Sequence, residues 1–195
     1  MSIHQAVIAA SSGFIIATSP GGDQPSIPQE EVGLWRHKAN GVSSGDDPTW
    51  FDFNAGQITY SYNTVARIET DANDTTQVFS LEFKGYFKPA ATGIYKFRTL
   101  SDDGSWLWIG NVALDPSTQN ANVKNGGAHG QQYAISGNFA LTQNLYYPLR
   151  VLMWDAGGGW MLRTEWSLYT QGSGWSEWSD DFSGQIFYNG ATYGF

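Results

Sequence analysis

Val78-Phe79-Ser80-Leu81-Glu82-Phe83-Lys84-Gly85-Tyr86-Phe87 runs into Lys88-Pro89-Ala90-Ala91-Thr92-Gly93, then Ile94-Tyr95-Lys96-Phe97-Arg98-Thr99-Leu100, then Ser101-Asp102-Asp103-Gly104-Ser105-Trp106-Leu107-Trp108-Ile109. Phe79, Leu81 and Phe83 alternate with polar residues. Apolar side chains at every second position are the signature of a strand with one buried face. The Pro- and Gly-bearing 88–93 segment is a turn. Tyr95 and Phe97 then alternate with Lys96 and Arg98, and Trp106 and Trp108 share one face of a third run. The same period returns at Tyr147, Leu149, Val151 and Met153, and at Leu162, Thr164, Trp166 and Leu168 opposite Arg163 and Glu165. Gln185 to Tyr188 is a last short strand, and Gln57 to Ile68 is a Thr/Tyr/Val-rich run. No segment has a clear helical period. The pattern predicts an all-β fold, an antiparallel β-sandwich, with Pro/Gly-rich loops at 19–30 and 39–49 and a polar, Gly-rich excursion over 111–137.

Composition narrows the function. The chain has 195 residues, 15% of them aromatic, with 23 Gly and no Cys. That length suits a single domain over 1–195 with a sizeable core, and the aromatics exclude a disordered chain. The net charge is -8, which argues against a nucleic-acid partner and against attraction to an anionic membrane. Without Cys there is no disulfide framework and no thiolate metal site. No apolar stretch reaches the ~18 residues of a membrane span. The mildly apolar 6–18 stretch lacks a basic segment before it and reads poorly as a signal peptide. The chain is expected to be one module of a larger protein, monomeric when isolated.

The acidic motifs hold the chemistry. Asp102 and Asp103 sit between two apolar runs. Adjacent strand side chains point to opposite faces, so for both to serve one centre the backbone must bend sharply between them. Two converging carboxylates repel, and a hard divalent cation is the simplest counter-charge; Ca²⁺ prefers oxygen ligands. An ordinary Asp-Asp-Gly turn is the plainer alternative. A further carboxylate, Asp155, precedes Ala156-Gly157-Gly158-Gly159-Trp160. Glycines let backbone carbonyls approach an ion closely, so Asp102, Asp103, Asp155 and this loop could supply an oxygen cage. A hairpin loop with one solvated Asp is the competing reading there. Asp46-Asp47-Pro48 and Asp180-Asp181-Phe182 are read as structural, with a second, accessory Ca²⁺ site at either as the lesser alternative. Asn73-Asp74-Thr75 fits a glycosylation acceptor, a pattern that recurs by chance. The spacing of His4, His37 and His129 fits no metal motif, and no nucleophile elbow or phosphate loop occurs.

Phe83-Lys84-Gly85-Tyr86-Phe87-Lys88-Pro89, Thr92-Gly93-Ile94-Tyr95-Lys96-Phe97 and Ser101-Asp102-Asp103-Gly104, in this order, resemble the PA14 domain. Tyr146-Tyr147-Pro148-Leu149-Arg150-Val151 with the loop after it, and Trp178-Ser179-Asp180-Asp181-Phe182-Ser183-Gly184, extend the resemblance over 78–190. It implies a Ca²⁺-dependent lectin on a β-sandwich with long ligand-binding loops. Asp102 and Asp103 would be paired metal ligands joined by a cis peptide. Asp155 and the carbonyls of Gly157 and Gly159 would complete the protein ligands. Two adjacent pyranose hydroxyls would then coordinate the ion.

Three departures from the yeast flocculins stand out: Asp155 in place of Asn, a glycine-rich loop, and no Cys. They put sugar specificity in doubt and point to a module of a large secreted bacterial adhesin, extracellular and bound to cell-surface glycans. The rim candidates for sugar contact are Asn122, Lys124, Asn125, His129 and Trp160. Single-site affinity is expected around millimolar, ~4 kcal/mol, with adhesion coming from multivalency. A structural PA14 module whose metal only rigidifies the fold is the alternative. A glycosidase is disfavoured, because adjacent carboxylates on one ion do not easily act as separate acid and base across a scissile bond.

Overall fold

The computed structural model describes residues 27, 30–54, 60–62, 66–70, 78–192 and 194–195. The apolar 6–18 stretch, most of the 19–30 loop, part of the 57–68 run and Asn73-Asp74-Thr75 lie outside them. The strands are β1 (Glu30–Val32), β2 (Trp35–Asn40), β3 (Tyr60–Tyr62), β4 (Phe79–Phe87), β5 (Gly93–Asp102), β6 (Ser105–Ile109) and β7 (Val123–Asn125). After them come β8 (Gln132–Ile135), β9 (Phe139–Leu141), β10 (Tyr147–Asp155), β11 (Met161–Thr170), β12 (Gly174–Trp175) and β13 (Ile186–Asn189). They form two antiparallel sheets. One runs β1-β13-β4-β10-β6-β7, with β2 also on β4 and β3 on β2; the other runs β12-β11-β5-β8, with β9 also on β5. One four-residue helix, α1 (Trp50–Phe53), and a short turn of 3-10 helix at Asn111–Ala113 interrupt the loops.

The main core lies between the sheets. Phe79, Leu81, Phe83 and Phe87 of β4 meet Tyr95 and Phe97 of β5, Leu149, Val151 and Met153 of β10, and Leu162 of β11. Phe87 sits edge-on to Tyr95, Phe97 and Phe182, the arrangement that the quadrupoles of aromatic rings favour. The period-two signal in the sequence came from these inward positions.

A second, smaller core covers the outer face of the larger sheet. Trp106, Trp108, Leu152 and Ala39 pack there against Phe51 of α1 and against Ala113 and Ala121 of the 111–121 excursion. Trp106 and Trp108 do share a face, as their spacing predicts, but it points away from the main core. Every residue of β10 is buried as a result, because its two faces meet two different cores.

Beside this second core runs a buried ionic chain. Glu82 receives Arg150 Nε at 2.5 Å on one oxygen and lies 2.8 Å from His37 Nδ1 on the other. Arg150 Nη2 also bonds Asp52 of α1 at 2.9 Å. Buried charges persist when paired in this way, and the chain ties the helix to the sheet.

The outer face of the smaller sheet is organised by cations on rings. Arg98 lies 4.2 Å from the Tyr133 centroid and 4.3 Å from that of Trp178, and Lys96 lies 4.4 Å from that of Trp175. Such contacts are attractive through the ring quadrupole.

Candidate functional site

Two connections cross between the sheets at the same end of the sandwich. β5 of the smaller sheet passes through Asp103-Gly104 into β6 of the larger one, and β10 of the larger sheet returns through 156–160 to β11 of the smaller. Strand register sets them side by side: Asp102 faces Met161 and Ser105 faces Met153. Carboxylates about fifty residues apart in sequence are thereby neighbours in space.

The Asp102–Asp103 peptide bond is cis. Asp103 is 8% exposed; its Oδ1 accepts the His129 N–H and its Oδ2 accepts the Ala156 N–H, each at 2.9 Å. One carboxylate thus joins the β7–β8 loop to the β10–β11 loop. Asp155 is fully buried. Its Oδ2 accepts the Gly157 N–H at 3.0 Å, while its Oδ1 is buried without a hydrogen-bond partner. A buried charged oxygen left unpaired carries its whole desolvation cost. Gly157 and Gly158 have φ of 116° and 112°, a region that L side chains rarely enter, and this lets the loop fold back. A Cβ at Gly159 would stand 3.4 Å from Asp102 Oδ2, so the loop closes onto Asp102.

The electrostatics agree with this crowding. Burial pushes the Asp155 carboxyl above its ordinary value, and the charges of Asp103 and Asp102 push it further, against the Gly157 hydrogen bond. Burial and then Asp103 raise Asp102, with His129 opposing. Like charges drawn together in this way favour a bound cation.

The donors on offer are carboxylates and peptide carbonyls, the oxygen set that Ca²⁺ prefers. Among the described residues no group of three or more His, Cys, Asp or Glu side chains is placed to hold a metal ion, so the three carboxylates do not make a site by themselves. Asp155 Oδ1, buried without a partner beside the charges of Asp103 and Asp102, is the observation that favours a cation here.

The rim candidates separate. The His129 N–H reaches Asp103, and the His129 ring lies 3.1 Å from the Asn125 carbonyl. The other four side chains are occupied elsewhere. Asn125 is 3% exposed, and its amide donates to Ser101 Oγ and to the Gln132 carbonyl, so it does not reach the rim. Asn122 Oδ1 accepts the Ile109 N–H. Lys124 Nζ donates to the Gln119 carbonyl at 2.6 Å, on the outer face with Trp106, its register partner. Trp160 packs against the main core, edge-on to Phe79.

Two supports were not read from the sequence. Beneath the turn, Asn125 Nδ2 donates to Ser101 Oγ, which bonds Ser105 Oγ, which donates to Thr99 Oγ1, each at 2.8 Å. Beside the turn, Asp46 Oδ1 accepts the indole N–H groups of Trp106 at 3.0 Å and Trp154 at 2.9 Å, and the Gly127 N–H at 3.2 Å. Hydroxyl residues flanking the acidic pair were a visible signal for the first; for the second, Asp46 was visible only within Asp46-Asp47-Pro48, which reads as structural. Asp180 and Asp181 stay structural: Asp180 lies 3.5 Å from Arg67, and Asp181 Oδ1 accepts the Ser183 N–H.

Gly104 holds the turn against Trp154. A Cβ there would meet Trp154 Nε1 at 2.6 Å and the Gly127 carbonyl at 3.1 Å, and the indole is fixed by Asp46. Gly104→Ala is expected to cost about 1–3 kcal/mol, the range for overpacking. Chemical denaturation would show it as a lower midpoint with an unchanged slope.

A family model, described as the PA14 domain, matches residues 30–174. No curated protein sequence matches the chain. Among solved structures it is similar to the A domain of Epithelial Adhesin 9 from Candida glabrata, in complex with Galb1-4GlcNAc. That likeness is at 17% identity, covering 84% of this chain and 97% of that one, with a TM-score of 0.59. The PA14 domain of the MpAFP antifreeze protein shares 14% identity, with 86% and 96% covered and a TM-score of 0.60. A PA14 sugar-binding domain from an RTX adhesin shares 16% identity, with 78% and 98% covered and a TM-score of 0.57. At such identities these likenesses speak for the fold alone. The family model itself spans most of the chain and takes in both crossing connections, and by that match the protein belongs to the PA14 domain family.

Proposed function

We propose that this protein is a calcium-dependent carbohydrate-binding module that serves adhesion to cell-surface glycans as part of a larger extracellular protein. One observation carries the reading: Asp155 Oδ1 is buried and unpartnered in a carboxylate that feels the charges of Asp102 and Asp103. Asp102, Asp103 and Asp155, with the carbonyls of Gly157 and Gly159, would hold the ion. Bound there, Ca²⁺ supplies open coordination positions that a vicinal diol can fill in place of water. Asp103 and the backbone it grips fix the two loops around those positions. Two structural neighbours, an adhesin A domain in complex with Galb1-4GlcNAc and a sugar-binding domain of an RTX adhesin, support a glycan as partner. Among the described residues no helix is long and apolar enough to cross a membrane. The adhesin and sugar-binding neighbours favour a reading of binding rather than catalysis.

Titration calorimetry with CaCl₂, followed by a glycan array with and without chelator, tests it. The expected result is calcium uptake near one equivalent and array binding that chelator abolishes. Calcium uptake with a silent array would instead favour a module whose metal only rigidifies the fold. No uptake would overturn the proposal.

A further inference from the structure

We propose that Asp46 is a positioning residue for this site, a single carboxylate that clamps the loops around the acidic pair. The inference rests on the calcium-lectin reading above for its functional meaning. Its geometry stands on its own. Asp46 belongs to the loop after β2 and comes from no element that carries a proposed ligand. Its Oδ1 accepts three N–H donors: Trp154 Nε1 at 2.9 Å, Trp106 Nε1 at 3.0 Å and the Gly127 backbone at 3.2 Å.

Each donor belongs to a different part of the site. Trp154 immediately precedes Asp155, and its indole lies against Gly104, the residue after Asp103. Trp106 is the second residue of β6, just beyond the acidic turn, and its ring closes on Gly126. Gly127 lies two residues before His129, whose N–H holds Asp103 Oδ1. Three donors on one oxygen make it a hub, and bonds to an ionised acceptor are about twice as strong as neutral ones. Asp46 therefore fixes at once the base of Asp155, the back of the turn and the loop that grips Asp103. Supporting partners of this kind change metal affinity by roughly 10–100-fold when removed.

The test uses Asp46→Ala and Asp46→Asn in the full chain. The Asn side chain keeps one oxygen acceptor without the charge. Three readouts are compared: calcium affinity by calorimetry, the indole N–H resonances of Trp106 and Trp154, and amide exchange of Gly127, His129 and Ala156. Asp46→Ala is expected to move both indole resonances, to speed exchange at all three amides and to weaken calcium roughly 10–100-fold. Amides in the centres of β4 and β5 should stay protected. Asp46→Asn should fall between Asp46→Ala and the parent in all three. Unchanged exchange at His129 and Ala156 in Asp46→Ala would overturn the clamp. So would unchanged calcium affinity in a parent protein that binds calcium. If the parent takes up no calcium, the lectin reading fails by itself, and the clamp then stands or falls on the resonances and the amide exchange.

Discussion

Asp103→Ala is expected to abolish calcium uptake, and glycan binding with it. Both carboxylate oxygens of Asp103 are spoken for by backbone groups from different loops, His129 on one and Ala156 on the other. Removing the side chain deletes a proposed ligand and also releases the two loops that frame the ion. Hydrogen bonds to a charged acceptor contribute about 1.5–3 kcal/mol each, so stability should fall as well, by a few kcal/mol in all. Asp103→Asn should fail nearly as completely. An amide turns one acceptor into a donor and sets N–H against N–H at one of the two contacts. The affinity loss should exceed roughly a hundredfold, the upper end for supporting residues alone. Calorimetry reads the binding and urea unfolding reads the stability. Retained glycan binding by a folded Asp103→Ala would sink the ligand assignment.

The second large effect lies far from the site. Arg150→Ala is expected to destabilise the fold by about 3–5 kcal/mol, the cost of breaking a buried ion pair from one side. Arg150 is 2% exposed and bridges Glu82 to Asp52; its loss leaves Glu82, 1% exposed, with His37 as its hydrogen-bonding partner. The variant should also unfold at a higher pH on acidification. In the parent, burial alone would raise the Glu82 carboxyl. The His37 hydrogen bond and the positive charges of Arg150 and Lys84 outweigh that and hold it below the ordinary carboxylate value. A carboxyl depressed on folding contributes stability that is full above its unfolded value, about 4.3, and is lost as pH falls through the folded value. Without Arg150, burial opposes the charged form with less compensation, and the loss begins nearer neutrality. Urea midpoints measured from pH 7 down to pH 3 check both claims. An acid profile identical to the parent's would refute the coupling.

The strands that could be read from the sequence were those with one face on the main core. Phe79, Leu81 and Phe83, or Tyr95 and Phe97, alternate with residues facing elsewhere, and the alternation is the period of the pleat. β10 hid part of its nature, because Arg150, Leu152 and Trp154 are buried too, against a layer built from the 41–54 and 111–121 segments. β1, β2, β7, β8 and β9 are short or polar, and their stability comes from neighbours rather than from their own pattern.

The same physics divides the candidate site. Asp102, Asp103 and Asp155 stood out as acids at glycine turns between strong strands. Asn122, Lys124 and Asn125 were read as loop. Two of them lie on β7, where alternation turns Asn125 inward and Lys124 outward. Asp46 stood out only as part of Asp46-Asp47-Pro48, with nothing local to say what it holds. Its importance comes from indoles 60 and 108 residues further along the chain.

The four residues from Ala156 to Gly159 are exposed and rest on no hydrophobic layer. Two of them are nevertheless tied down, Ala156 by its N–H on Asp103 and Gly157 by its N–H on Asp155. Gly158 is the open tip, where an added Cβ would meet nothing within 4 Å, and loop closure depends only weakly on length. Residues inserted beside Gly158, with Ala156 and Gly157 kept, should therefore leave the melting temperature nearly constant.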